Sequence, residues 1–139
     1  MSIQNMNIGT VAEASGVPPK SIRYYESIGL IDAAQRRQNG YRSYSHLDTQ
    51  TLAFIKRARG LGFSVEEVRQ LLDLWRKKDR KSATVKKLAL QHVDALDRKI
   101  GELRGMRKAI SDLIRRCHGD SRPDCPIIED LEDRTRRSA

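Results

Sequence analysis

A chain of 139 residues with 38% hydrophobic and 5% aromatic content can build one modest core, or a small head with an extension. Charged residues make up 32% and the net charge is +9, with fourteen Lys/Arg against eight Asp/Glu in residues 1–81 and thirteen against ten in 82–139, so a polyanionic partner is expected, mainly at the first part. No run of 18 apolar residues and no charged-then-apolar leader occurs, so no membrane span is expected, and a reducing, cytoplasmic setting makes the two cysteines ligands or reactive thiols rather than a structural disulfide.

Residues 1–7 read as a loose start. A short helix is predicted from Thr10 to Ser15, stopped by Gly16. Pro18 and Pro19 open a second helix over KSIRYYESIGL, where a missing N–H is tolerated, and Gly29 closes it. Two short helices about a Gly-containing turn match the helix-turn-helix pattern, with an ordinary αα-hairpin as the alternative. Residues 35–44 read QRRQNGYRSY, and Asn39-Gly40 is a two-residue hairpin signal because a type I′ turn needs positive φ at both positions. Arg36, Arg37, Tyr41, Arg42 and Tyr44 flank it, so the hairpin is expected to be a wing against the DNA backbone.

Ser45-x-x-Asp48 caps a third helix, whose apolar run is Leu47, Leu52, Phe54, Ile55 and Leu61, with Gly62 as its end. Lys56, Arg57 and Arg59 fall on its polar side. Ser64-Val-Glu-Glu67 is a capping box opening a fourth helix with Val65, Val68, Leu71, Leu72 and Trp75. Phe63 and Val68 form a hydrophobic staple across its start, and Trp75 is expected to close the head. Residues 76–81 (RKKDRK) form a charged hinge.

Ser82 to Cys117 contains no proline, and Ala89, Val93, Leu96, Ile100, Leu103, Arg107, Ile110, Ile114 and Cys117 alternate steps of four and three. That is the 3.5-residue period of a coiled-coil seam, broken only by Arg107. Such a helix runs roughly 50 Å, too long for the rest of the chain to cover, and a second copy is its simplest partner. His92 beside the seam and His46 in the first turn of the third helix are read as structural. Gly119 and Pro123 make 117–125 a tight loop. Pro126 opens a last short helix with Ile127, Ile128 and Leu131 as its buried face, and 132–139 form a polar tail.

On the residues alone, C-x7-C is open to incidental thiols, a redox pair or a two-sulfur metal site. Soft thiolates suit Cu(I), and two of them suffice for a monovalent d10 ion. A zinc site wants four ligands, and only Cys117, Cys125 and His118 are close in sequence. No nucleophile–base set, phosphate-cradling glycine loop or open metal site points to an enzyme.

The strings TVAEASGVPPKSIRYYESIGLI, NGYRSY and LAFIKRARGLGFSVEEVRQLLDLW together resemble the MerR family of bacterial transcription regulators, over nearly the whole chain. The tail, Cys117-x7-Cys125 followed by Pro-Ile-Ile-Glu, is similar to the family's copper-efflux subgroup, which often has proline where His118 stands. The resemblance implies a mainly α fold: a winged helix-turn-helix head over 1–79, a long antiparallel coiled-coil dimerisation helix over 80–116, and a metal-binding loop with a short helix and tail over 117–139. It implies a homodimer on double-stranded promoter DNA, activating RNA polymerase by distorting an overlong spacer. It implies that Cys117 and Cys125 bind one Cu(I) per subunit, with Ag(I) or Au(I) as substitutes, and that Ser82, where divalent-metal members carry cysteine, sets selectivity. In an antiparallel pair Ser82 approaches Cys117 of the partner subunit. With the second helix in the major groove, Lys20, Ser21, Arg23 and Tyr24 are candidates for base and phosphate contacts. Arg36, Arg37, Tyr41 and Arg42 on the wing, with Arg57, are candidates for the flanking backbone. A thiol-redox or divalent-metal regulator on the same scaffold is the alternative.

Overall fold

A computed structural model of the chain describes residues 6–32, 35–36 and 42–133. Their elements in order are α1 (Ile8–Ser15), α2 (Pro19–Ser27), β1 (Gln35–Arg36), β2 (Arg42–Ser43), α3 (His46–Gly60), α4 (Val65–Arg76), α5 (Ser82–Arg116) and α6 (Pro126–Glu132). The chain divides into two compact units, residues 1–88 and 89–139, with the boundary inside α5.

In the first unit α1 begins two residues earlier than its apolar content predicts. Asn7, in an extended conformation, accepts the Thr10 amide at 2.8 Å, so the helix starts at Ile8. Met6, read as part of a loose start, exchanges backbone hydrogen bonds with Tyr44 at 2.9 and 2.8 Å, and residues 1–5 lie outside the described residues. Gly16, at φ 76°, ends α1 in the left-handed region, where a side chain is strained. Pro19 sits in the first turn of α2 as expected.

β1 and β2 pair antiparallel, Gln35 with Ser43 and Arg36 with Arg42. The Asn39-Gly40 turn, Arg37 and Tyr41 lie outside the described residues. Tyr44, read with the wing, is instead 1% exposed and part of the core. The backbone bridge to Met6 fixes residue 44 against the body of the head, and in so small a core its ring fills more space than any aliphatic side chain there.

Both predicted capping boxes are present: Ser45 with Asp48 at the start of α3, and Ser64 with Glu67 at the start of α4. Leu52 and Ile55 on α3 and Val68 and Leu72 on α4 pack with Val11, Ile22 and Leu30 into one core. Phe63 packs on this core with Val68, as the staple requires, and Trp75 stacks on Phe54 at 4.7 Å. Leu47 and Leu61 depart from the predicted apolar face, at 65% and 49% exposed. Leu47, in the first turn of α3, lines an open cavity with Ile31, Thr51 and Trp75 instead of filling the core. Leu61 lies past the last helical residue, in the cap.

The second unit holds α5 from Ala89 onward, the 117–125 loop and α6. Val93, Leu96, Ile100, Leu103, Ile110 and Ile114 are all exposed in the single chain, whereas the buried residues of α5 are His92 and Leu113. The seam thus lies open along the rod. Ile128 and Leu131, predicted to be buried, are 53% and 56% exposed. Ile127 is half-buried, and Pro126, Glu129, Asp130 and Asp133 line a cavity of about 210 Å³ with Leu113 and Arg116, so the predicted apolar face of α6 is covered only at Ile127.

Candidate functional site

The candidate functional side chains fall into two sets, one in each unit. In the first, Lys20, Arg23 and Tyr24 are exposed on α2, while Ile22 on the opposite face is fully buried. Spacings of three and four residues bring the three onto one stripe. Ser21 is half-buried beside Ile22, a less accessible place than the other three. Arg57 is exposed on α3. Lys56, its neighbour, brings Nζ to 2.5 Å from where a Cβ on Gly16 would stand, so its ammonium lies over the turn between α1 and α2. Arg59 reaches forward past the end of α3 and donates to the Phe63 carbonyl at 2.9 Å, so it serves the turn into α4. Arg36 and Arg42 sit opposite one another in backbone register on the hairpin.

In the second unit the long helix ends at Arg116 and Cys117 follows at once, its amide bonded to Ile114 at 3.1 Å. Gly119 at φ 66° turns the chain. Asp120 then closes the loop: it accepts the Arg122 amide at 3.0 Å and its Nε at 2.8 Å. That guanidinium holds the Asp120 carboxyl below its ordinary pKa. Cys125 caps α6 and is followed by Pro126.

The outcome is that two cysteines eight residues apart in sequence place their sulfurs 3.8 Å apart, both half-buried. The amide of Ile128 lowers the Cys125 thiol pKa most, helped by the Ile127 amide and the Cys117 thiol, while burial and the Glu129 charge oppose them. Neither amide closes a conventional capping hydrogen bond to the sulfur. The N–H groups that α6 leaves unpaired therefore favour the thiolate, the form that binds metal.

At 3.8 Å the sulfurs are well beyond the roughly 2.05 Å of a disulfide and close enough for both to ligate one ion. His118 is exposed beside Cys117, and among the described residues no group of three His, Cys, Asp or Glu converges. Ser82, exposed, is the first helical residue of α5. No helix among the described residues is long and apolar enough to cross a membrane.

A family model described as MerR HTH family regulatory protein matches residues 6–75, and one described as MerR, DNA binding matches residues 49–113. The chain is 52% identical over 126 residues to Heavy metal-dependent transcription regulator 2 of Rhizobium meliloti, covering 91% of this chain and 86% of that one. It is 41% identical over 126 residues to the HTH-type transcriptional regulator CueR of Escherichia coli O157:H7, covering 91% and 93%. Among solved structures, the lead(II) complex of the transcription regulator PbrR691 from Ralstonia metallidurans superposes with a TM-score of 0.78 at 30% identity, covering 91% of this chain and 98% of that one.

Proposed function

The chain belongs to the MerR family of helix-turn-helix transcription regulators, and from that premise we propose that it is a Cu(I)-responsive activator of copper-efflux genes, answering also to Ag(I) and Au(I). Members of the family are non-enzymatic regulators that bind promoter DNA and act as dimers. The metal reading is supported by the relative named heavy metal-dependent and by the lead-bound neighbour. The observation that supports Cu(I) is the donor set itself, two half-buried sulfurs within reach of one ion and no converging group of three His, Cys, Asp or Glu among the described residues, which suits one soft monovalent ion per subunit.

The organisation proposed is a head over 1–79, a rod over 80–116 and a sensor over 117–139, in the cytoplasm. Two copies join along the α5 seam, antiparallel. α2 lies in the major groove, where Arg23 and Tyr24 reach base edges and Lys20 and Ser21 meet phosphate. Arg36, Arg37, Tyr41 and Arg42 on the wing and Arg57 on α3 hold the flanking backbone. Cys117 and Cys125 close the loop about the ion as thiolates, which fixes α6 on the end of the rod. The dimer occupies its promoter with and without metal, and the metal-loaded form holds the DNA bent and untwisted for RNA polymerase. Elastic deformation of that kind costs about 1–6 kcal/mol, and two sensor sites supply it through their different affinity in the two states. Ser82 keeps a third thiolate away from the partner's Cys117 and so favours a +1 ion.

The lead-bound neighbour favours a second reading, a divalent-metal regulator. In vitro transcription from the chain's own promoter, with free Cu(I), Ag(I), Zn(II) or Pb(II) set by competing chelators, separates the two. Activation by Cu(I) and Ag(I) alone is the expected result; equal activation by Zn(II) or Pb(II) would replace this reading with the second.

A further inference from the structure

The C-terminal end of α2 is held from far along the chain. Gly29, at φ 76°, completes a Schellman turn in which its amide donates to Glu26 at 3.1 Å and the Leu30 amide to Tyr25 at 2.9 Å. The carbonyls of Ile28 and Leu30 then point out of the turn, and both accept from α4. Arg69 Nη2 donates to the Ile28 carbonyl at 2.8 Å, and Arg76 Nη2 to the Leu30 carbonyl at 3.4 Å. The Arg69 guanidinium lies over Gly29, 3.8 Å from where a Cβ would stand, and Glu66 sits 3.5 Å from its Nε. Leu30 and Ile31, between this clamp and the wing, are buried.

A helix of nine residues does not hold its own orientation. The other end of α2 has Pro18 as its cap residue, with no side-chain capping bond. Two cations placed at the C-terminal end therefore set its angle, and they also meet the negative pole of its dipole. We propose that Arg69 and Arg76 are positioning residues for operator recognition: they fasten α2 and the entry to the wing onto α4, so that both reach DNA as one rigid piece. The inference rests on the reading that α2 meets base edges.

Base-edge hydrogen bonds are lost with a small rotation, whereas long Lys and Arg side chains follow phosphates through it. Removing a clamp should thus reduce sequence discrimination and spare general affinity. The test uses the full-length dimer, a duplex selected from random sequence by the wild type, and an unrelated duplex of equal length, across a salt series. Arg69→Met and Arg76→Met are each expected to lower the selected-over-unrelated affinity ratio roughly tenfold. Affinity for the unrelated duplex and the slope of log K against log salt should stay as in the wild type, and Arg69→Lys should recover part of the ratio. An unchanged ratio in both Met variants overturns the proposal. So does an equal loss on both duplexes, which marks a merely structural role, or a slope reduced by about 0.9 per arginine, which marks direct phosphate contacts. A wild type that selects no duplex sinks the α2 reading itself, whereas a selective wild type with unchanged variants sinks the clamp alone.

Discussion

The exposed seam of α5 gives a prediction with a size. The midpoint of the helix falls at Lys99, so in a symmetric antiparallel pair Ile100 lies beside its own copy. Burying a whole Ile side chain contributes about 1.5–3 kcal/mol, so the 45% of Ile100 still exposed carries about 1 kcal/mol per copy and about 2 kcal/mol per pair. Ile100→Asp removes that and sets two carboxylates roughly 6 Å apart, which repel by about 3 kcal/mol at an effective dielectric of about 20. Together these weaken the dimer by more than roughly a thousandfold. Sedimentation equilibrium over a concentration series measures the shift directly. Because residue 100 is exposed in the single chain, the head should fold as before, and far-ultraviolet circular dichroism checks that it does. A dimer constant within a factor of a few of the wild type would refute the assignment of this stripe as the interface.

Leu52→Ala empties a fully buried site in the head and should destabilise it by about 2–5 kcal/mol, read as a lowered unfolding midpoint in urea. Arg23→Ala, an exposed change, should leave that midpoint within about 0.5 kcal/mol, yet weaken promoter binding by about 1–3 kcal/mol without altering the number of Cu(I) bound; equal promoter affinity would remove Arg23 from the interface. Ser82→Cys should admit Zn(II) as an inducer in the transcription assay, and a response still confined to Cu(I) and Ag(I) would end the selectivity role of Ser82.

What could be read in the sequence was what is settled locally. Ser45 with Asp48 and Ser64 with Glu67 declare two helix starts within four residues, and Gly16, Gly29 and Gly62 all stand at positive φ where the helices stop. The rod is legible because a 3.5-residue period from Ala89 to Cys117, in a proline-free stretch, leaves little else for the chain to be. The start of α1 is encoded locally too, since asparagine is a preferred cap and Asn7 accepts the Thr10 amide. Tyr44, Leu47 and the face of α6 were not legible. Whether an aromatic beside a hairpin turns in or out depends on a bridge to Met6, 38 residues earlier. The covered side of α6 shares a cavity with Leu113 and Arg116 across a loop, so it is not written in the helix's own sequence. At the candidate metal site the two cysteines and their spacing are visible in the sequence. The 3.8 Å approach and the Asp120–Arg122 brace that shapes the loop depend on backbone folding that no periodicity encodes. The arginine clamps on Ile28 and Leu30 span 41 and 46 residues and leave no local trace.

The central claim is that Cys117 and Cys125 together sense the ion and leave DNA binding to the head. It is tested most directly by promoter footprinting and single-round transcription on the same samples of wild type, Cys117→Ser and Cys125→Ser, with and without Cu(I). Both variants should protect the promoter as the wild type does, bind no Cu(I) at stoichiometric levels and show no metal-dependent transcription. A serine variant that still activates with Cu(I), or one that loses the footprint along with activation, would contradict the account.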